Sequence, residues 1–254
     1  DIMPNFYKKN KKIILTSLGA TLLVVCLIVA NYLSLLLIKT DSESTSIKSN
    51  NFELYLLSLS KSQVEKEAMT LAEDYRLIGA GGFIWKYDNY YHVISSAYSN
   101  KNDALLVQNS IKTNQNLDSE ILTINFSSKE LLGNFSGEET KVLTKALNCF
   151  QEFYLTIYDI AISLDTSVYN EISARLAVNN AHNNLATTIA NFKTLYEDNL
   201  TGNIKILDST LEKASKTSQS LCSGSQISKD QTYSSILKYR YLEMIEIYYN
   251  LQFE

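Results

Sequence analysis

The sequence predicts an α+β protein in three parts: an N-terminal transmembrane helix, a βαββαβ (ferredoxin-like) domain and a C-terminal antiparallel helical bundle. Three observations predict it. Residues 13–38 carry no charge and are dominated by Leu, Ile, Val and Ala. Residues 51–127 hold strand-like apolar runs separated by two stretches of helical period. From Ser136 onward the apolar spacing becomes helical and stays so.

Lys8, Lys9, Lys11 and Lys12 precede the uncharged run; Lys39, Asp41 and Glu43 follow it. As a helix rising about 1.5 Å per residue the run exceeds a ~30 Å hydrocarbon core. It is also too long for the apolar region of a cleaved signal peptide, about 7–15 residues. The positive-inside bias then predicts a cytoplasmic tail over residues 1–12 and a bilayer span over 13–38. Everything after Lys39 is expected outside the cytoplasm, as a single-pass protein of the cell membrane. Residues 39–50, rich in Ser, Thr and Asn, read as a spacer.

Phe52-Glu53-Leu54-Tyr55-Leu56-Leu57-Ser58-Leu59 reads as a strand. Val64, Ala68, Leu71, Ala72 and Tyr75 follow at helical spacing behind a Ser62-x-x-Glu65 capping box. Gly79-Ala80-Gly81-Gly82 stops that helix. A phosphate loop needs a strand before the glycines and a helix after them, the reverse of the order here. Two further strands, Phe83 to Tyr87 and Tyr90 to Tyr98, flank an Asp88-Asn89 turn. Asn100 or Asn102 caps a second helix, and Glu120 to Phe126 supplies the last strand. In this order two helices cover one face of a four-stranded sheet and leave the other open.

If Val93 faces the helices, alternation turns His92, Ile94 and Ser96 to the open side. Trp85 and Tyr87 share a face of the neighbouring strand, and Tyr55 and Leu57 share one of the first. An aromatic plane stacks well on the C–H face of a sugar ring while its polar edge reaches hydroxyls. Trp85 is equally able to point into the core, and His92 to be an ordinary exposed strand residue.

Ser136-x-x-Glu139 is a second capping box, opening a helix with a stripe through Leu143, Leu147, Phe150, Ile157 and Ile160. A second helix carries Val168, Ile172, Leu185 and Ile189, and a third Ile204, Leu207 and Leu211. The fourth carries Ile236, Leu237, Met244 and Leu251. Short connections favour antiparallel neighbours, giving a bundle over residues 136–254. Tyr233, Tyr239, Tyr241, Tyr248 and Tyr249 exceed what one buried stripe holds, so this last helix reads either as core or as a partner-docking surface.

A net charge of -4 with no basic block beyond the tail argues against nucleic acid as a partner. Neither His92 nor His182 has Cys or acidic residues at metal-ligand spacing, so no metal or other cofactor is expected. His182, among asparagines, reads as a hydrogen-bonded bundle histidine. Cys149 and Cys222 are open to pairing or to remaining free. No nucleophile, base and orienting group fall together, and no enzyme is expected.

The stretch Tyr90-Tyr91-His92-Val93-Ile94-Ser95-Ser96-Ala97-Tyr98, continuing through Ser99-Asn100-Lys101-Asn102-Asp103-Ala104, resembles the second half of a SPOR domain. Both show an aromatic, an alternating V-x-V, a small pair, an aromatic, and a short linker into an Ala-bearing helix. Residues 54–72 are more weakly similar to the first half. The resemblance covers residues 51–127. It implies a βαββαβ fold on a single-pass anchor that binds peptidoglycan glycan strands during cell division or sporulation. Tyr55, Trp85, Tyr87, His92, Ile94 and Ser96 are the residues expected to meet the glycan. The family usually places Gln or Arg within V-x-V and Gly in the small pair, where this chain has Ile94 and Ser96. The alternative expectation is an envelope scaffold that binds no glycan and recruits another membrane or cell-wall protein through its bundle.

Overall fold

The computed structural model describes residues 45–197, 200–223 and 230–253. The basic tail, the expected span at 13–38 and residues 39–44 of the expected spacer lie outside them. In chain order the elements are β1 (Thr45–Lys48), β2 (Phe52–Ser62), α1 (Glu65–Leu77), β3 (Phe83–Tyr87), β4 (Tyr90–Tyr98) and α2 (Lys101–Gln115). They continue with β5 (Glu120–Phe126), β6 (Glu130–Gly133), α3 (Gly137–Asp165), α4 (Glu171–Tyr196), α5 (Gly202–Cys222) and α6 (Tyr233–Tyr249).

Strands β2 to β5 make an antiparallel sheet in the order β3-β4-β2-β5, the split arrangement expected of βαββαβ. Thr45–Lys48, within the stretch read as spacer, forms β1 and pairs with β6 in a separate two-stranded ribbon. Local chemistry sets the boundaries. Asp88 and Asn89 take φ of 48° and 63°, the two left-handed positions that a tight hairpin turn requires. Helix α1 ends into Gly79 at φ 93°, so the glycine cluster is a helix stop. At Gly82, with φ 60°, a Cβ would sit 2.5 Å from the Ala72 carbonyl oxygen. Only glycine fits there. The Ser136–Glu139 capping box forms with both of its hydrogen bonds. Ser62 instead ends β2, and its hydroxyl accepts from the Val64 N–H at 2.9 Å, so α1 starts without a capping box.

Helix α1 packs Ala68 and Ala72 on Val93, and α2 packs Ala104, Val107 and Ile111 beside Leu57, Leu59 and Tyr98. The opposite face presents Leu54, Leu56, Phe83, Trp85, Ile94, Leu122, Ile124 and Phe126. These share one continuous core with the later helices. Helix α6 lies on this face. Tyr239 meets Phe83 edge-on with ring centroids 5.2 Å apart, and the Ala97 N–H donates to the Tyr241 hydroxyl at 3.2 Å. Helix α3 packs against α6 and α4, and α5 against α4 and α6.

Two expectations are corrected here. The helical part is not only a C-terminal bundle beside an open sheet: α1 and α2 cover one face, and the later helices cover most of the other. The physical reason lies in β2, where Leu54 and Leu56 alternate with Leu57 and Leu59 and all four are buried. A strand apolar on both sides needs cover on both sides. The expectation of a transmembrane helix and a single-pass membrane localisation is corrected to what the structure shows: residues 13–38 lie outside the described ones, and among the described residues no helix is long and apolar enough to cross a membrane. Helix α3, 29 residues long, carries Glu138, Glu139, Lys141, Lys145, Glu152, Asp159 and Asp165.

Candidate functional site

At the β3–β4 hairpin the face that α6 covers elsewhere comes to the surface. Along β3, Phe83 and Trp85 are buried, but Tyr87, two residues on and on the same face, is 40% exposed. Tyr90 stands directly opposite Tyr87 in the strand register. Lys61 holds its ammonium 5.4 Å from the Tyr90 ring centroid and pairs with Glu120 at 3.1 Å. Gln63 donates to the Tyr90 hydroxyl at 3.3 Å. The result is a ledge of two tyrosine rings beside one cation, one carboxylate and one amide. Tyr249 of α6, 41% exposed, sits 5.4 Å from the Trp85 ring at the margin of the covered region.

His92 lies beneath the ledge. Its ring meets Tyr87 and Tyr90 edge-on at 6.3 and 6.4 Å, and it hydrogen-bonds the Tyr87 backbone. Nδ1 is 3.2 Å from both the Ser58 hydroxyl and a Glu120 carboxylate oxygen. Both groups reach the same ring nitrogen, so the imidazole does not link Ser58 to Glu120 in the serine–histidine–acid relay order. Burial holds the His92 pKa below the ordinary histidine value; Glu120 opposes that shift and Lys61 adds to it.

The sign of the pH dependence follows. A folded-state pKa below the unfolded value means that the unfolded chain binds the proton more readily. Stability is therefore full above the unfolded histidine pKa of about 6.5 and declines as pH falls from there towards the depressed folded value. We expect wild type to lose more thermal stability than His92→Gln between about pH 7 and 5. An NMR titration placing the His92 midpoint above the free-histidine value would contradict this.

The structure brings Tyr87 and His92 together, and separates the other four residues expected to meet glycan. Trp85 and Ile94 share the face but are buried under the helices, at 2% and 0% exposure. Tyr55 and Ser96 face the other side. Tyr55 packs in the cluster beneath α2 and donates to Glu53, and Ser96, buried, donates to the Tyr98 hydroxyl at 2.7 Å. Sequence reasoning missed Lys61, Tyr90 and Glu120. The Tyr90 position follows from the two-residue turn, which places it opposite Tyr87. Lys61 and Glu120 meet only because β2 and β5 pair, and nothing local announces that.

Elsewhere, Tyr241 and Tyr248 are buried and Tyr239 packs against the sheet, so the tyrosines of α6 mostly serve the core. His182 Nδ1 lies 3.0 Å from the Ser218 hydroxyl across α4 and α5. Cys149 and Cys222 are free, and burial pushes both thiols up. Among the described residues no group of His, Cys, Asp and Glu is placed to hold a metal.

No known protein family matches the chain, and no curated protein does. Among solved structures, the chain is similar to the peptidoglycan binding domain of the B. subtilis cell wall lytic enzyme CwlC, determined in solution. The identity is 24% over 28% of this chain and 90% of that one, with a TM-score of 0.25. A likeness that slight in shape carries no argument about the ligand.

Proposed function

We infer that the chain binds peptidoglycan glycan through the hairpin ledge, with a part in cell division or sporulation that rests on the SPOR resemblance alone. The observation that carries the reading is the pair Tyr87 and Tyr90, side by side on an accessible sheet end with Lys61, Gln63 and Glu120 around them. The two rings supply apolar area for a sugar face, and the flanking cation, amide and carboxylate supply donors and acceptors for its hydroxyls and acetamido groups. The central face that the resemblance assigns to glycan is not part of this reading, because helix α6 packs on it.

The test is co-sedimentation of the protein with intact and amidase-stripped sacculi. Replacing both Tyr87 and Tyr90 by Ala is expected to weaken binding about tenfold, equivalent to ~1.4 kcal/mol, with little change in Tm. Undiminished binding by a folded double variant would remove the ledge from the reading; no binding by wild type would remove glycan.

A second reading, a scaffold that binds another protein and no glycan, is favoured by one observation. Val168, Ile172 and Leu176 at the α3–α4 turn are 73%, 81% and 63% exposed, more apolar surface than a helix tip needs. Failure of sacculus binding with retained fold would favour it.

A further inference from the structure

A cavity of about 300 Å³ opens where α1 ends, between α2 and the helices α3 and α6. Its apolar wall comes from Leu59 of β2, Val107 and Ile111 of α2, and Ala161 and Ile162 of α3. Tyr98, Tyr158 and Tyr241 add ring faces, and Asp165 and Lys238 complete the lining. The pocket thus draws on the sheet, on one of its own helices and on two helices of the C-terminal half. It is of the size that small-molecule sites begin at, and its lining is of the usual kind: mostly apolar with a few convergent polar groups.

The polar end is built rather than incidental. Asp165 Oδ2 pairs with Lys238 Nζ at 2.7 Å, and Lys238 also donates to the Gly79 carbonyl at 2.9 Å. Asp165 Oδ1 accepts from Ser234 at 2.5 Å. Each charge is therefore fixed in position while keeping capacity. An ammonium has three protons, of which these bonds use two, and each carboxylate oxygen has a second lone pair. Lys238 is 13% and Asp165 38% exposed at the side chain, so the pair stands at the boundary between the cavity and solvent. The same two residues, with Ile78 and Gly79, also line a more open concavity outside. Tyr158, its ring 6.0 Å from that of Tyr154, also lines the inner pocket and brings a phenol hydroxyl to it.

We propose that this cavity binds a free apolar α-amino acid of leucine size, its side chain among Leu59, Val107, Ile111 and Ile162 and its zwitterionic head against Asp165 and Lys238. The geometry selects that chemistry. The two protein charges are adjacent and opposite, so a ligand with one charge would satisfy one and leave the other beside a like charge. A zwitterion with its ammonium at Asp165 and its carboxylate at Lys238 completes an alternating four-charge ring. The body is expected to be apolar because Leu59, Val107, Ile111, Ala161 and Ile162 make up much of the wall; Ser95, Ser96, Gln115 and the tyrosines also line it.

The experiment uses the whole protein with L-leucine as probe, followed through the methyl NMR resonances of Val107, Ile111 and Ile162. We expect saturable shifts at or below about 10 mM, an affinity of at least the ~1 mM class. Isoamylamine and 4-methylpentanoic acid, each lacking one charge, are expected to bind at least about tenfold more weakly, a difference of ~1.4 kcal/mol. Ile111→Trp fills the cavity and is expected to abolish the shifts; should it fail to fold, Val107→Phe serves the same purpose from the neighbouring turn. Lys238→Met is expected to erase the preference for leucine over isoamylamine. Absent or non-saturating shifts, or equal binding of all three probes, would overturn the proposal. Sacculus binding is read separately, so failure here leaves the ledge untouched, and the reverse holds.

Discussion

Trp85→Ala is expected to destabilise the protein by about 3–5 kcal/mol, the range for truncating a fully buried large aromatic. A small domain has about 5–15 kcal/mol in all, so the variant should be near its threshold at physiological temperature. Trp85 is 2% exposed, lies 6.4 Å from Phe83 and 5.4 Å from Tyr249, and belongs to the core shared by sheet and helices. Removing it empties the contact between β3 and the end of α6, and the neighbouring rings belong to different elements that cannot all close the gap. Urea titration followed by far-UV circular dichroism measures the effect; Trp85 is the chain's single tryptophan, so its own emission reports wild-type unfolding but not the variant's. An open-face tryptophan would behave differently, with stability unchanged to within about 0.5 kcal/mol and any defect confined to binding. A midpoint equal to wild type would therefore return Trp85 to the surface and leave α6 without its seat.

How far the fold can be read from the sequence depends on whether each signal is local. The Asp88-Asn89 turn, the glycine stop at Gly79 and the Ser136 capping box are contained within a few residues, and the structure has each of them. The order of strands and helices between Phe52 and Phe126 also followed from period alone. The covered sheet face did not, because period two says which residues share a face and not what lies above it. There was nevertheless a clue in Leu54-Tyr55-Leu56-Leu57, apolar on both sides, whereas a sheet with one wet face alternates with polar residues. The crowding of tyrosines on α6 was the complementary clue. Tyr241 gives its ring to the core and accepts from the Ala97 N–H, and Tyr248 stacks near Phe52 with its hydroxyl 2.6 Å from that of Ser49. A phenol buries area and still satisfies a polar group, so many tyrosines fit where a helix crosses strands. The site was legible in part for the same reason. Tyr87 and His92 carry their signal on one hairpin, while alternation along β4 carries Ser96 past a register shift, where Leu57 pairs with Ser96 but Ser58 with Ile94. A bulge of one residue reverses every face beyond it.

Residues 51–127 expressed alone are expected to be soluble only as aggregate or as a compact state without fixed packing. Cutting there exposes Leu54, Leu56, Phe83, Trp85, Ile94, Leu122, Ile124 and Phe126 together, all of them 9% exposed or less in the intact protein. At roughly 1.5–3 kcal/mol for each large side chain returned to water, the loss is as large as or larger than the whole stability of a typical domain. Polar bonds are lost with it: the Ala97 N–H loses Tyr241, the Gly79 carbonyl loses Lys238, and the Ala80 carbonyl loses Ser235. The backbone groups among these sit beside an apolar surface, where an unmade hydrogen bond costs about 1–3 kcal/mol. Size-exclusion chromatography, dye binding to exposed apolar surface and amide NMR dispersion read the outcome directly. Co-expression with residues 128–254 should restore a soluble, dispersed complex if the helices supply the missing half of the core. A monomeric 51–127 fragment with well-dispersed amides would show instead that the sheet tolerates an open apolar face. In that case the helices would be a removable cover, and the central face, Trp85 and Ile94 included, would again be accessible to a ligand.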